Sequence, residues 1–209
     1  MYAHGAVEKY LNDAAAKLPA PGGGSVSALA GALAAAMSEM SANFTTGKKK
    51  FADVQDRIVE MLAGLEACRR ELVALVDEDV EAYGEVDGAY SMPKDTRRQK
   101  VERREAIQNA LRTAMKAPLR VMEQCALVAK MADQLVEVGN PNLITDVGVS
   151  AILAEAACEA ARLNVEINLK YIHDADVARD TRRRMDEWSR IARQCRERTT
   201  RAVLRYLAA

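Results

Sequence analysis

Apolar residues recur every three or four positions along almost the whole chain, and no segment alternates between apolar and polar residues. The longer spacing places apolar side chains on one face of an α-helix, whereas alternation is typical of strands. Only 4% of the residues are aromatic. The core must therefore be built from Ala, Leu, Val and Met, which suit close packing between helices. The sequence predicts an all-α protein.

The periodic segments predict six helices joined by short connections. Their ranges are 3–18, 26–44, 51–90, 95–138, 145–173 and 176–207. Short connections between long helices favour antiparallel neighbours, so we expect an up-and-down antiparallel bundle that forms a single domain over residues 1–209. Pro118 lies inside the fourth range, and a proline within a helix removes a backbone hydrogen bond. A kink or break is therefore predicted near Pro118.

Charge and composition restrict the classes of protein to which this chain can belong. Lys plus Arg and Asp plus Glu both total 30, so the formal net charge is zero and nucleic acid is not an expected partner. The longest apolar stretch, 26–44, is interrupted by Ser, Glu and Asn, which favours a buried helix over a membrane span. With two histidines and no carboxylates at ligand spacing, we expect no bound metal.

Two further features favour a cytoplasmic protein. The N-terminus lacks the basic and apolar regions of a secretory signal. The cysteines form no C-x-x-C pair, and each lies within an apolar helical pattern. We therefore expect reduced thiols in the core, at Cys68, Cys125, Cys158 and Cys195.

The second predicted helix has two different apolar faces. One carries large residues such as Val26, Leu33 and Phe44, and the other carries small residues such as Gly31 and Ser38. The small face allows a neighbouring backbone to come close, which favours a central position in the bundle. This small face and the Ala-rich face of the fifth helix leave more apolar surface than one small bundle covers. We therefore predict a homodimer.

An aspartate interrupts the apolar stripe of the third predicted helix. The stripe begins at Phe51 and continues in register through positions 79, 83, 86 and 90, and position 79 is Asp. Buried carboxylates are unfavourable unless they are paired, so Asp79 and Tyr83 indicate a polar cavity. Two alternatives stay open: a bend near Gly84 that exposes Asp79 to solvent, and an ion pair with Arg103.

A polar loop leads directly into the fifth predicted helix and contains Asn140, Asn142 and Asp146. A carboxylate in the first turn of a helix is stabilised by the helix dipole, so Asp146 is expected to stay ionised and to face a cationic ligand. The alternative is that Thr145 or Asp146 simply caps the helix.

Three shorter features have the composition of binding sites. Asn164 and Asn168 share one helical face, and their amides supply the donors and acceptors that the edge of a heterocycle needs. Ser25 is the expected N-cap of the second helix, and the Gly23, Gly24 and Ser25 turn exposes backbone N–H groups that suit a carboxylate or phosphate. The run 48–50 of three lysines is either a solvated turn or a contact for an acidic substrate tail.

Six segments, taken in order, resemble the cyclodeaminase/cyclohydrolase family, which comprises cyclodeaminase domains and free-standing methenyltetrahydrofolate cyclohydrolases. These segments are 19–25, 47–51, 79–83, 93–94, 140–149 and 164–168. The resemblance covers nearly the whole chain. It implies an all-helical homodimer that binds a tetrahydrofolate near the subunit interface, with no metal or other cofactor.

The resemblance also implies the chemistry. The expected reaction is hydrolysis of 5,10-methenyltetrahydrofolate to 10-formyltetrahydrofolate, and the alternative is cyclodeamination of formiminotetrahydrofolate with release of ammonia. Composition alone also suits a non-catalytic dimeric scaffold. Asp146 and Asp79 are the expected counter-ion and base, and Lys49 is the expected group for polarising the formyl oxygen. The residues expected to bind substrate are Gly23, Gly24, Ser25, Lys48, Lys50, Tyr83, Lys94, Asn140, Asn142, Asn164 and Asn168.

Overall fold

A computed structural model describes all 209 residues and contains seven α-helices and no strands. The helices are α1 (Val7–Ala15), α2 (Gly23–Asn43), α3 (Gln55–Ser91), α4 (Arg97–Ala114), α5 (Lys116–Val138), α6 (Ile144–Leu169) and α7 (Ala175–Leu207). Short 3-10 segments, Lys49–Val54 and Pro141–Leu143, precede α3 and α6. The all-α prediction is confirmed.

The predicted fourth helix is two helices that meet at Met115. Pro118 lies in the first turn of α5 and has no N–H to donate to the carbonyl of Ala114, where α4 ends. A proline is well tolerated in a first turn, because the N–H groups there have no helical partner. The break predicted near Pro118 is confirmed.

Contacts at the helix ends give the directions of α3 and α6 relative to α2. Gln55, at the start of α3, donates from Nε2 to the carbonyl of Thr45 beyond the end of α2 (3.3 Å). The N–H of Asn140, just before α6, donates to Thr45 Oγ1 (2.9 Å). Farther along α3 and α6, Asp79 and Asn164 lie beside the N-terminus of α2. Both helices are therefore antiparallel to α2, as expected for an up-and-down bundle.

The small residues of α2 face the inside of the bundle. A Cβ on Gly31 would lie 2.7 Å from Cys125 Sγ and 3.0 Å from Leu72 Cδ2. Ser38 donates to Ser150 Oγ (2.7 Å), which places the backbones of α2 and α6 close together. The small face is therefore buried within one protomer. The expectation that it contributes uncovered surface is wrong.

The large residues of α2 lie on the outside instead. Leu33 is 53% exposed and Phe44 is 51% exposed. Exposed apolar residues of α6 continue this surface, so that one stripe runs along both helices. We call it the α2–α6 apolar face, and its most exposed residues are Val26, Leu33, Phe44, Val149, Ile152, Leu163 and Ile167.

One continuous hydrophobic core contains residues from all seven helices. The four cysteines are buried in it as free thiols, as the sequence predicts. Burial raises the pKa of Cys68 to about 11 and that of Cys158 to about 12, so both stay protonated at neutral pH. None of the helices combines the length and the apolar character needed to cross a membrane.

Candidate active site

A cavity of about 540 Å³ lies where the N-terminus of α2 meets α3, the end of α4 and the last turns of α6. Its volume is in the range of sites that hold small organic ligands. Six residues expected from the sequence line this cavity: Gly23, Gly24, Asp79, Tyr83, Asn164 and Asn168. Asp79 is the one charged residue in the lining.

Asp79 is held by the end of a helix and not by a cation. Its Oδ2 accepts a hydrogen bond from the backbone N–H of Ser25 (2.8 Å). Burial raises the pKa of Asp79 above its ordinary value, and the Ser25 hydrogen bond offsets part of that rise. Arg103 donates to the carbonyl of Tyr90 instead (2.8 Å). The alternative of an ion pair between Asp79 and Arg103 is therefore wrong, and α3 continues as one helix through Gly84.

Two glycines allow this close approach. A Cβ on Gly24 would overlap the carboxylate of Asp79, and a Cβ on Gly23 would lie 3.1 Å from Asn164 Oδ1. Helix α2 begins at Gly23 with Gly22 as its N-cap, so the prediction that Ser25 caps this helix is wrong. Because Gly23 and Gly24 have no side chains, the N-terminus of α2 can pack directly against Asp79 and Asn164.

Ser25 acts through its backbone, because its side chain is fully buried behind the cavity wall. The hydroxyls of Ser25 and Tyr10 are 3.0 Å apart, and this pair ties α1 to the first turn of α2. The ring of Tyr2 packs edge-on against Tyr10, with 5.3 Å between centroids. The sequence pattern did not identify the Tyr10–Ser25 contact, because it joins two helices that are separated by the loop between α1 and α2.

The two asparagines present oxygen atoms to the cavity. Asn164 Nδ2 donates to the carbonyl of Ala160 (2.9 Å), and Asn168 Nδ2 donates to the carbonyl of Asn164 (2.8 Å). Each amide nitrogen is thus occupied by the preceding turn of α6, while each Oδ1 has no protein donor. Together with Asp79, they form a set of hydrogen-bond acceptors.

Aromatic walls complete the cavity. Tyr90 and Tyr171 line it beside Tyr83, although neither was among the expected site residues. A signal for both was present, since Tyr90 lies on the same helical stripe as Asp79 and Tyr171 on the same stripe as Asn168. Flat aromatic rings of this kind suit a planar heterocycle.

The remaining expected residues, with one exception, lie at the opposite end of the bundle. They are Lys48, Lys49, Lys50, Asn140, Asn142 and Asp146. Since α2 separates the two ends and has 21 residues, the separation is about 30 Å. The exception is Lys94, which lies in a recess beside the cavity. One protomer therefore does not bring Asp79 and Asp146 together.

At that opposite end, Asn140 has a structural role. Its Oδ1 accepts from the N–H of Asn142 (3.2 Å), and its Nδ2 donates to the carbonyl of Phe44 (3.3 Å). Both polar ends of the side chain thus have protein partners. Asp146 lies in the first turn of α6, as predicted. The capping alternative is wrong, because Leu143 holds the N-cap position and Thr145 lies inside the helix.

Comparison with known proteins assigns the chain to a family. A sequence profile of the formiminotransferase-cyclodeaminase family matches residues 6–187. The chain belongs to this family. The methenyltetrahydrofolate cyclohydrolase of Methylorubrum extorquens is 39% identical over 174 residues, which cover 83% of this chain and 84% of that protein.

Two further relatives are named as cyclodeaminases. The formimidoyltransferase-cyclodeaminase of Rattus norvegicus is 32% identical over 84% of this chain, but the match covers only 32% of the rat protein. The crystal structure of formiminotetrahydrofolate cyclodeaminase from Thermotoga maritima has a TM-score of 0.89 and 30% identity, and the match covers 98% of each chain.

Proposed function

We propose that this protein is a methenyltetrahydrofolate cyclohydrolase, which converts 5,10-methenyltetrahydrofolate and water into 10-formyltetrahydrofolate. The observation that carries the proposal is Asp79, a carboxylate with no cationic partner in a cavity whose other polar side chains are two asparagines and three tyrosines. The named cyclohydrolase relative, aligned over most of both chains, supports it. A cationic substrate explains why such a carboxylate is retained.

The substrate suits the lining of the cavity. The pteridine ring carries N–H groups along one edge, and the oxygens of Asn164 and Asn168 are acceptors for them. The amidinium carbon between N5 and N10 bears positive charge, which Asp79 stabilises. Tyr83, with the tyrosines beside it, provides faces for stacking.

The chemistry then needs one base. Water adds to the carbon that bridges N5 and N10, and the carboxylate of Asp79 takes a proton from that water. Asp79 passes this proton to N5 as the carbon–N5 bond breaks. The hydroxyl of the adduct loses its proton to solvent and becomes the formyl carbonyl, which stays on N10. The raised pKa of Asp79 suits this role, because a base whose pKa is nearer to neutral holds the transferred proton more strongly.

Cyclodeamination of formiminotetrahydrofolate is the second candidate, and the Thermotoga maritima cyclodeaminase structure favours it. In that reaction N10 attacks the formimino carbon and ammonia leaves. Both reactions pass through a tetrahedral carbon between the same two nitrogens, so one cavity can serve either. The relative with 39% identity favours hydrolysis over deamination.

We also propose that the active enzyme is a cytoplasmic homodimer that joins the two groups of site residues. The α2–α6 apolar face runs between the cavity and the opposite end of the bundle. A two-fold axis through this face, perpendicular to both helices, pairs the cavity of one protomer with the opposite end of its partner. Asp146 and Lys49 of a second copy then approach Asp79. Four buried free thiols suit a reducing compartment.

An assay on both substrates tests the function. Purified protein is incubated with 5,10-methenyltetrahydrofolate, and loss of the methenyl chromophore is followed against the uncatalysed rate. In parallel, release of ammonia from 5-formiminotetrahydrofolate is measured. We expect catalysed hydrolysis with little deamination. Faster deamination establishes the second candidate, and turnover of neither substrate overturns both.

A further inference from the structure

The start of α2 has almost no side chains that could hold it in place. Residues 22–24 are all glycines, and a glycine has no side chain with which to anchor the turn to a neighbouring helix. Ser25 is the first residue of α2 with a side chain, and that side chain is fully buried. The position of the Ser25 N–H, which is bonded to Asp79, therefore depends on what the Ser25 side chain contacts.

The polar partner of that side chain is Tyr10 of α1. The two hydroxyl oxygens are 3.0 Å apart, and both residues are buried. Burial raises the pKa of Tyr10, so its hydroxyl stays protonated at neutral pH. For stability alone, a buried apolar pair of the same shape serves about as well as a pair of hydroxyls. A hydrogen bond differs from apolar packing in fixing a distance and a direction.

The N-terminal segment holds Tyr10 in place. The backbone N–H groups of Tyr2 and Ala3 both donate to the carboxylate of Asp77, the second at 3.1 Å. Asp77 is buried and lies on α3, close to Asp79. The ring of Tyr2 then packs edge-on against the ring of Tyr10. This series of contacts begins and ends on α3, so the position of Tyr10 is fixed relative to the helix that carries Asp79.

We propose that Tyr10 is a positioning residue, which keeps the carboxylate of Asp79 in its reactive orientation by fixing the backbone of Ser25. This inference rests on the proposed function, in which Asp79 is the base. A base must lie within hydrogen-bond reach of the water that it deprotonates, and a small misplacement is costly. Tyr10 does not line the cavity, so it acts through Ser25 and touches no substrate.

Removal of the two hydroxyls tests the proposal. Tyr10→Phe, Ser25→Ala and the double variant are assayed on 5,10-methenyltetrahydrofolate. We expect kcat to fall about tenfold in each with KM nearly unchanged, because the amides and rings of the lining still bind substrate. The double variant should lose no more than either single variant, since both changes break the same contact. Its denaturant midpoint should stay near that of the wild type, because no hydroxyl is left without a partner.

The pH dependence of kcat separates positioning from a general loss of folded enzyme. The Ser25 N–H offsets part of the rise in the pKa of Asp79, so loosening it raises that pKa further. The acid limb of the kcat profile should then move to higher pH. Loss of folded enzyme lowers the whole profile without moving this limb. No basic residue lines the cavity, and the other titratable side chains around the carboxylate are Tyr83, Tyr90 and Tyr171.

Tyr2→Phe is the matched control. It removes a hydroxyl that donates to Asp13 (2.9 Å), and it keeps both the ring and the backbone N–H bonded to Asp77. Its kcat and acid limb should equal those of the wild type. The proposal is overturned if the double variant keeps the wild-type kcat, or if kcat falls without a shift of the acid limb. It is also overturned if Tyr2→Phe has the same effects as Tyr10→Phe.

A titration of Asp79 without substrate keeps this proposal separate from the proposed function. Aspartate carboxyl carbons are isotope-labelled for NMR, and the signal of Asp79 is identified by its loss in Asp79→Asn. We expect the pKa of Asp79 to be higher in Tyr10→Phe/Ser25→Ala than in the wild type. If the protein turns over no folate, the proposed function fails while this titration still decides whether Tyr10 acts on Asp79. Equal pKa values in an active enzyme refute the positioning role alone.

Discussion

Asp79 gives the cavity its chemical character, because it is the one charged residue in the lining. Its position depends on the backbone N–H of Ser25 at the start of α2. A side-chain cation would neutralise the carboxylate, whereas a single N–H leaves most of its charge for a ligand. The absence of side chains at Gly23 and Gly24 is what allows α2 to approach so closely.

Asp79→Asn should lower kcat/KM by about 10² to 10³ while the protein stays folded, because the amide keeps the acceptor for Ser25 N–H and loses the charge. In the wild type, activity should fall on the acid side at a pH above the ordinary range of a carboxyl group, since burial raises the pKa of Asp79. A pH–rate profile checks both statements. An asparagine variant with near wild-type kcat/KM contradicts the role of Asp79.

The same variant should change how stability depends on pH. Because the folded-state pKa of Asp79 is raised, protonation favours the fold. That stabilisation is fully present below the unfolded-state pKa and is lost as the pH rises through the folded-state pKa. The asparagine of Asp79→Asn does not titrate. As the pH rises from the unfolded-state pKa of Asp79 through its folded-state pKa, the wild type should therefore lose stability relative to the variant. Denaturant midpoints at acidic and neutral pH measure the difference, and a constant difference contradicts it.

Gly24→Ala should inactivate the enzyme by displacing Asp79. The added methyl group overlaps the carboxylate, so the side chain must move away from Ser25 N–H. A shift of about 1 Å in a reacting group costs roughly 10²-fold in rate. Gly88→Ala is the control, since Gly88 does not line the cavity and a Cβ there has no neighbour within 4 Å. Steady-state kinetics of both variants decide the matter, and equal activities contradict the prediction.

At the scale of helices, α2 reverses the usual arrangement of an amphipathic helix. Its small residues pack inward against α3, α5 and α6, and its large residues face outward. Small side chains on the inner face allow short distances between helix axes, which a core poor in aromatic residues requires. The large residues then form half of the α2–α6 apolar face, so one helix serves both the core and the outer surface.

Gly31→Ala tests this close packing. The added Cβ meets Cys125 Sγ at 2.7 Å and Leu72 Cδ2 at 3.0 Å, and both neighbours are fully buried. Gly84→Ala, at an exposed position in the C-terminal part of α3, gives the same gain in helix propensity, and its Cβ has no neighbour within 4 Å. Gly31→Ala should therefore be less stable than Gly84→Ala by about 1–3 kcal/mol. Equal denaturant midpoints for the two variants would show that the core has room at Gly31.

For the whole molecule, the α2–α6 apolar face should hold two protomers together. Leu33 lies in the middle of this face, whereas Leu127 lies on α5, which packs behind α2 and α6, and is 40% exposed. Leu33→Glu should shift the sedimenting species from dimer to monomer, because the charge cannot be buried unpaired. Leu127→Glu should stay dimeric. A monomeric and fully active wild type removes the dimer from the proposal.

A mixing experiment tests whether the site is shared between protomers. Asp79→Asn and Asp146→Asn are each expected to be inactive alone. In a mixed dimer, one of the two sites contains both wild-type aspartates if Asp146 comes from the partner. Mixing the variants in equal amounts should then restore about a quarter of wild-type activity, since half of the dimers are mixed. No recovery in demonstrably mixed dimers contradicts a shared site.

The sequence alone determined the helical class, the approximate helix ranges and the break near Pro118. These follow from local rules, because helix periodicity and proline geometry act over a few residues. It also identified Asp79, Asn164 and Asn168 as anomalies, since polar residues on apolar stripes are visible without a structure. Their presence in one cavity agrees with that reading.

The tertiary structure decided what no local pattern contains. Asp79 accepts a hydrogen bond from Ser25 N–H and does not pair with Arg103, and the hydroxyl of Tyr10 contacts that of Ser25. These contacts join segments that are far apart in the sequence. The periodicity of α2 gave two apolar faces without indicating which one is inside. Only the packing of α2 against α5 and α6 settles that choice, because close contact between helix backbones excludes large side chains from the interface.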